Sequence, residues 1–162
     1  MSLFTTPAYG PFSNTWGGND IGLVEGPHVI NKRPHARDVR AQLYGDTIIE
    51  GIYAGAEGFA TVVAKEWDTD ALNLMWPFDT NFLELGVIGR LMSDIAKAWV
   101  LTPVTGSTAA TNGWTWTFNK AIISPEHNLE IIKGVEEHNV PVVMRLYPYE
   151  NASNDPVLGT VA

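Results

Sequence analysis

The chain has 162 residues, of which 45% are hydrophobic and 17% charged, and its net charge is −8 at pH 7. This composition is typical of one folded domain with a sizeable core rather than a disordered chain. The acidic balance argues against nucleic-acid binding, because that affinity comes mainly from Lys and Arg that neutralise phosphates. The sequence contains no Cys, which excludes disulfides and thiolate metal sites. No window reaches the roughly 20 apolar residues of a membrane span.

Residues 1–26 mix Gly, Pro, Asn and scattered aromatic residues without any period. We interpret them as an N-terminal arm that wraps a neighbour, and the alternative is a frayed terminus. Next, "NKRPHAR" (31–37) predicts a polar turn, and the alternation in "DVRAQL" (38–43) predicts a half-buried strand. Together with the apolar residues at 29–30, this pattern predicts a hairpin over 29–44 with a basic tip.

A second hairpin is predicted where "TIIEGIYA" (47–54) and "FATVVAKEW" (59–67) flank the glycine-rich turn "GAEG" (55–58). "DTDALNLMWP" (68–77) places an acidic cap before apolar helix formers and a terminating Pro, so it predicts a short helix. Residues 78–96 stay open between loop, helical and strand pieces, because Gly86 and Gly89 would each cost a helix about 1 kcal/mol.

Further strands are predicted in the second half of the chain. "KAWVLTPV" (97–104) reads as a buried strand, and "WTWTFNKAII" (114–123) alternates strictly, which favours a core face over a surface that stacks on bases or sugars. "LEIIKGVEE" (129–137) and "VPVVMRLYPY" (140–149) predict a third hairpin. Seven or eight strands and one short flanking helix predict a mainly β fold, a β-sandwich or barrel over 27–150, followed by a C-terminal arm or final strand over 151–162.

The sequence shows no pattern that carries chemistry. No two His have the i, i+4 spacing of a helical zinc site, and the glycines match neither GxGxxG nor a P-loop. There is also no GxSxG elbow. The sequence therefore predicts neither an enzyme, nor a cofactor, nor a metal site. The alternative is a small-molecule-binding barrel or a hydrolase, in which Glu130, Glu136 or His138 would act.

The order of the pieces resembles the tail tube proteins of tailed bacteriophages. The resemblance runs through "NDIGLVEGPHVINKR", "DVRAQLYGDTIIEGIYAGAEGFATVVAKEWDTDALNLMWP", "GRLMSDIAKAWVLTPV", "WTFNKAIIS" and "VPVVMRLYPYENASNDP", which together cover most of the chain. The family implies a structural virion protein without an enzymatic site, whose subunits form stacked hexameric rings through which DNA is ejected. Its location would be the viral tail, after synthesis in the host cytoplasm. Another virion ring, such as a head–tail joining or tail completion protein, is the alternative within this class.

The resemblance also gives roles to particular residues. The implied partners are further copies of the chain, other tail proteins and viral DNA in transit without specific binding; a membrane is not among them. We expect the subunit interface to use Lys32, Arg33, Arg37, Phe4, Tyr9, Phe12 and Trp16. We expect an acidic lumen lined by Glu50, Glu57, Glu130 and Glu136, within inner-sheet hairpins over 47–66 and 129–147, because a wall that neutralised phosphates would retain DNA.

Overall fold

The structure, a computed structural model, describes residues 11–22, 24–41, 43, 47–65, 69–79, 83–104, 114–132 and 139–162. The strands are β1 (Phe12–Trp16), β2 (Asn19–Asp20), β3 (Val29–Ala41), β4 (Thr47–Ala64), β5 (Lys97–Pro103), β6 (Trp116–Ile123), β7 (Val140–Leu146), β8 (Tyr149–Glu150), β9 (Pro156–Val157) and β10 (Thr160–Val161). The helices are α1 (Thr69–Met75) and α2 (Met92–Ile95). The predicted mainly β fold is confirmed, with two short helices in place of one.

Eight strands form one antiparallel sheet in the order β2-β1-β5-β6-β7-β4-β3, with β10 paired to β6. Strands β8 and β9 form a separate small hairpin. The large sheet curls around its own inner face. Trp16 of β1 and Val62 of β4 border the same small cavity, although three strands lie between them in the sheet order. Leu74 and Met75 of α1 border that cavity too, so this helix covers one end of the core.

The alternation of each strand builds the core, because successive side chains of a strand point to opposite faces. On β7, Val140, Val142, Met144 and Leu146 are all buried, while the residues between them are more exposed. Trp99 of β5 stacks on Phe118 of β6 with ring centroids 5.3 Å apart. The alternation read from the sequence at 114–123 thus does predict a core face for Phe118, whereas Trp114 is half exposed.

The largest correction concerns the first two predicted hairpins. Strand β3 continues through 31–37 and β4 continues through 55–58, so neither segment is a turn. The two segments lie opposite each other in one long antiparallel ribbon, with Arg33 paired to Glu57 and His35 paired to Gly55. The pairing register shifts between His35 and Ala36, and Gly55 has φ of 115°, a conformation that L side chains rarely adopt. The Pro and Gly residues that suggested turns, such as Pro34 and Gly55, therefore lie at a bulge in the ribbon rather than at two chain reversals.

The third predicted hairpin is not formed by the described residues. Residues 129–132 form no strand, and 133–138 lie outside the described residues. Strand β7 instead lies between β4 and β6, and it pairs with both. Beyond the β6 pairs, the amide of Ser124 donates to the carbonyl of Val143. The positions where 129–137 would have paired are therefore occupied by residues of β6 and the turn after it.

Both predicted arms contribute to the sheet. Strand β1 pairs with β5 over its whole length, from Phe12 opposite Pro103 to Trp16 opposite Trp99. At the other end of the chain, β10 pairs with β6, and Ala162 exchanges two backbone hydrogen bonds with Thr115. Residues 12–20 and the last residues therefore pair with the sheet of their own chain, and β10 is the final strand that was one of the two expectations for 151–162, while residues 1–10 lie outside the described residues.

Candidate assembly surfaces

The part of the β3–β4 ribbon beyond the bulge projects from the domain. We define the outer ribbon as residues 36–41 of β3 and 47–54 of β4. Every residue of β4 from 47 to 54 is exposed, including large apolar side chains: Ile48, Ile49, Ile52 and Tyr53 are 52%, 51%, 56% and 66% exposed. Large apolar residues that are exposed together mark an interaction surface.

The two faces of the outer ribbon differ in composition. The register pairs Arg37 with Ile52 and Val39 with Glu50, so these residues share one face, together with Ile48. Ala36 pairs with Tyr53 and Asp38 pairs with Gly51 on the opposite face. On β4, the first face therefore carries Ile48 and Ile52, with the Glu50 carboxylate between them.

Strand β3 ends the sheet order, so one long edge of the sheet is β3 itself. Its register pairs involve only β4 among the described strands, along all thirteen residues. Most of its side chains are exposed, with Ile30 and Val39 partly covered. A long exposed edge strand is a template for pairing with another chain, and proteins normally shield such edges.

A charged cluster lies at the bulge where the outer ribbon leaves the domain. The Glu57 carboxylate accepts a hydrogen bond from the Arg145 guanidinium at 3.0 Å and lies 3.3 Å from Nε2 of His35. The Arg145 guanidinium in turn lies over the rings of Phe59 and Tyr147, 5.9 and 5.8 Å from their centroids. Because Arg145 belongs to β7 in the domain, this cluster fixes the base of the ribbon to the body of the protein.

An open apolar groove of about 630 Å³ lies at the base of the outer ribbon, and we call it the inner-face groove. Residues of the ribbon base, β6 and the C-terminal segment line it, among them Ile30, Lys32, Tyr53, Trp116, Leu158 and Val161. The backbone approaches the C-terminal segment closely at Gly58, since a Cβ at this position would lie 2.7 Å from Cδ1 of Leu158 and would displace that side chain. A second hollow of about 460 Å³ shares Ile30 and Trp116 with it and extends past His28.

Two buried polar atoms beside Trp99 have no hydrogen-bond partner among the described residues: Nδ2 of Asn14 and Nε2 of His28. The other end of the Asn14 amide accepts from the Trp99 indole at 2.8 Å. Burial lowers the pKa of His28, since the charged imidazolium would lose its hydration. Within the described parts of the chain, no three His, Asp or Glu side chains gather as metal ligands would.

The basic residues expected at an interface lie on the edge strand. Lys32, Arg33 and Arg37 are exposed in β3, in the middle of the ribbon rather than at its tip. Of the four aromatic residues, Phe4 and Tyr9 lie outside the described residues.

The structure corrects the placement of the other two aromatic residues. Trp16 is 1% exposed, and its indole donates to the carbonyl of Ala121, so it belongs to the core of its own chain. Phe12 packs against the same core. The Trp16 ring is therefore not left for a neighbouring subunit, whereas the Phe12 ring is only partly buried.

The residues expected in the lumen belong to different parts of the chain. Glu50 is exposed on the outer ribbon, and Glu130 is exposed in the segment after β6. Glu57 is paired with Arg145, which offsets its negative charge, and it also lies 3.3 Å from Nε2 of His35. Glu136, like His138 of the hydrolase alternative, lies outside the described residues.

Sequence reasoning missed the exposed apolar row of the outer ribbon. The available indication was "TIIEGIYA", in which neighbouring Ile residues occupy both faces of one strand. A half-buried strand alternates, whereas a strand that is apolar on both faces needs cover on both. We find no match between this chain and any protein-family model or curated protein. In the described parts of the chain, every helix is too short or too polar to cross a lipid bilayer.

Proposed function

We propose that this protein is a structural subunit that assembles with copies of itself into stacked rings, as in a bacteriophage tail tube. The observation that carries the proposal is the long β3–β4 ribbon, which has an exposed apolar outer half and a β3 edge paired on one side only among the described strands. A two-stranded ribbon alone is marginally stable in water. Cover from neighbouring copies would stabilise it and would shield the edge strand.

The charge of the chain supports this role. A conduit for DNA needs a wall that does not neutralise phosphates, and a chain of net charge −8 can supply such a wall. Glu130 is exposed, so it is available for a lumen surface, whereas Glu57 is engaged by Arg145. The implied partners are further copies, other tail proteins and DNA in passage. The implied location is the virion tail.

Sedimentation velocity of the purified chain over a wide concentration range tests the proposal. The chain mass is 17.7 kDa, and we expect a species of six times that mass, with larger stacks at high concentration. A chain that binds a small apolar molecule in its groove and sediments as a monomer at every concentration would contradict the proposal and would favour the small-molecule-binding alternative.

A further inference from the structure

We propose that the outer ribbon of one copy docks into the inner-face groove of a second copy, with Ile48 and Ile52 in the groove and Glu50 beside Lys32. This inference rests on the proposed function, because it names the two surfaces through which copies would meet. It differs from pairing along the β3 edge, since side chains rather than backbone groups make the contact.

Among the described residues, none covers either of these two surfaces. Ile48 and Ile52 are more than half exposed, and neither lines the groove of its own chain. Tyr53 and Ala56, at the base of the ribbon, do line it. The outer ribbon therefore starts beside the groove and extends away from it. Its Ile48 and Ile52 side chains do not cover the groove of their own chain.

The groove and the Ile48–Ile52 face of the outer ribbon are complementary in shape and polarity. The groove volume of about 630 Å³ falls within the range of roughly 300–1,000 Å³ that accommodates a compact apolar ligand. Its lining is mostly apolar, with Trp116, Phe118, Leu146, Leu158 and Val161 among the contributors. Ile48 and Ile52 each lie two positions from Glu50 on the same face of β4. Together they form an extended apolar row that matches an elongated apolar groove.

The groove and the outer ribbon also carry opposite charges at the proposed contact. Lys32 is the one charged side chain among the described residues that line the groove. On the face of β4 that would enter the groove, Glu50 lies between Ile48 and Ile52. Opposite charges at such a contact fix the register of the two partners more than they add affinity. Arg37 and Arg40 of β3 lie on this same face, opposite Ile52 and Ile48. Their long side chains can extend past the rim of the groove and keep their charged groups in solvent.

The proposed contact joins two different surfaces of the chain, which determines the symmetry of the assembly. The ribbon and the groove are different surfaces of one chain, so the contact is head-to-tail and leaves a free ribbon and a free groove at the ends of any open pair. Such contacts repeat until a ring closes or a filament grows. Ribbon docking is therefore compatible with the rings and stacks of the proposed function.

The chain contains no Cys, so engineered Cys residues report contacts without background. We would mix an Ile52→Cys variant with a Val161→Cys variant, oxidise the mixture and look for a disulfide-linked dimer. Val161 lines the groove and is 53% exposed. The matched control replaces the groove variant with Ser13→Cys, an exposed position on β1 that does not line the groove. We expect linked dimers from the first mixture and none from the control.

A charge-reversal set gives a second readout. Glu50→Lys alone and Lys32→Glu alone should each weaken association roughly tenfold, because like charges then face each other. Combining both changes in one chain should restore association, which a general loss of surface charge would not do.

Three results would overturn the inference. Rings or tubes that form without the Ile52–Val161 link would reject ribbon docking and leave the proposed function standing. A chain that is monomeric at every concentration would reject both. A disulfide within one chain between Tyr9→Cys and Val161→Cys would show that the first ten residues occupy the groove instead.

Discussion

Replacing Ile48 and Ile52 with Ala in one variant separates assembly from folding. In the free chain these side chains are 52% and 56% exposed, so about half of each remains to be buried by a partner. Full burial of an Ile side chain contributes about 1.5–3 kcal/mol, which gives about 1 kcal/mol for each half. The double variant should therefore lose about 2 kcal/mol per interface, or roughly 30-fold in the association constant.

The same variant should leave the isolated chain nearly intact. Exposed positions away from the core change the free energy of unfolding by less than about 1 kcal/mol, even with the lower β propensity of Ala. Urea unfolding at low concentration measures the stability of the isolated chain, and sedimentation velocity against concentration measures its association. The matched control is Ile88→Ala, because Ile88 is 92% exposed and lies outside the ribbon. Unchanged association of the double variant, or equal weakening by the control, would refute the reasoning.

Three further predictions concern the domain itself. Arg145→Met should lower the free energy of unfolding by about 1 kcal/mol in urea, since it removes a charged hydrogen bond to Glu57 from a site about one third exposed. An unchanged unfolding midpoint would show that the cluster does not stabilise the base of the ribbon. Gly159→Ala should cost about 1–3 kcal/mol and increase amide exchange in β10, because a Cβ would lie 2.5 Å from the carbonyl oxygen of Thr117; unaltered exchange would argue against this close packing. The free energy of unfolding should fall as the pH drops below about 6.5, because burial lowers the pKa of His28 in the folded chain and the unfolded chain therefore binds the proton more readily. His28→Gln should reduce this pH dependence relative to the unsubstituted chain.

The sequence alone was sufficient for elements whose pattern is set locally. Helix α1 lies within the segment predicted from "DTDALNLMWP", and β5 and β6 follow the apolar and alternating runs at 97–104 and 114–123. In these segments the period of the side chains and the terminating Pro residues act within a few positions of one another. The mainly β class follows from the same local patterns.

The long ribbon could not be predicted in this way, because its breaker residues act in pairs across strands. Pro34 lies opposite Ala56 and His35 lies opposite Gly55, so two segments that each look like a turn form one bulged stretch of ribbon. Pro is tolerated on an edge strand, where its missing amide faces no partner, and β3 is such an edge. Which strands become neighbours is a tertiary property, and no window of the sequence contains it.

The candidate surfaces were predicted only in part. The exposed basic residues at 32–37 follow from composition, since charged side chains seldom become buried. The apolar row at 48–52 was missed, because a run rich in Ile suggests a buried strand until the fold shows that no described element covers it. The burial of Trp16 was missed for the opposite reason: its surroundings of Gly, Asn and Thr resemble a loop, yet it pairs with β5 and enters the core.

Electron microscopy of the purified protein would show whether copies of this chain assemble into rings, as we propose. We expect six-membered rings of uniform diameter, which stack into tubes as the concentration rises. Isolated particles of single-chain size at every concentration, with no ring or tube in the field, would contradict it.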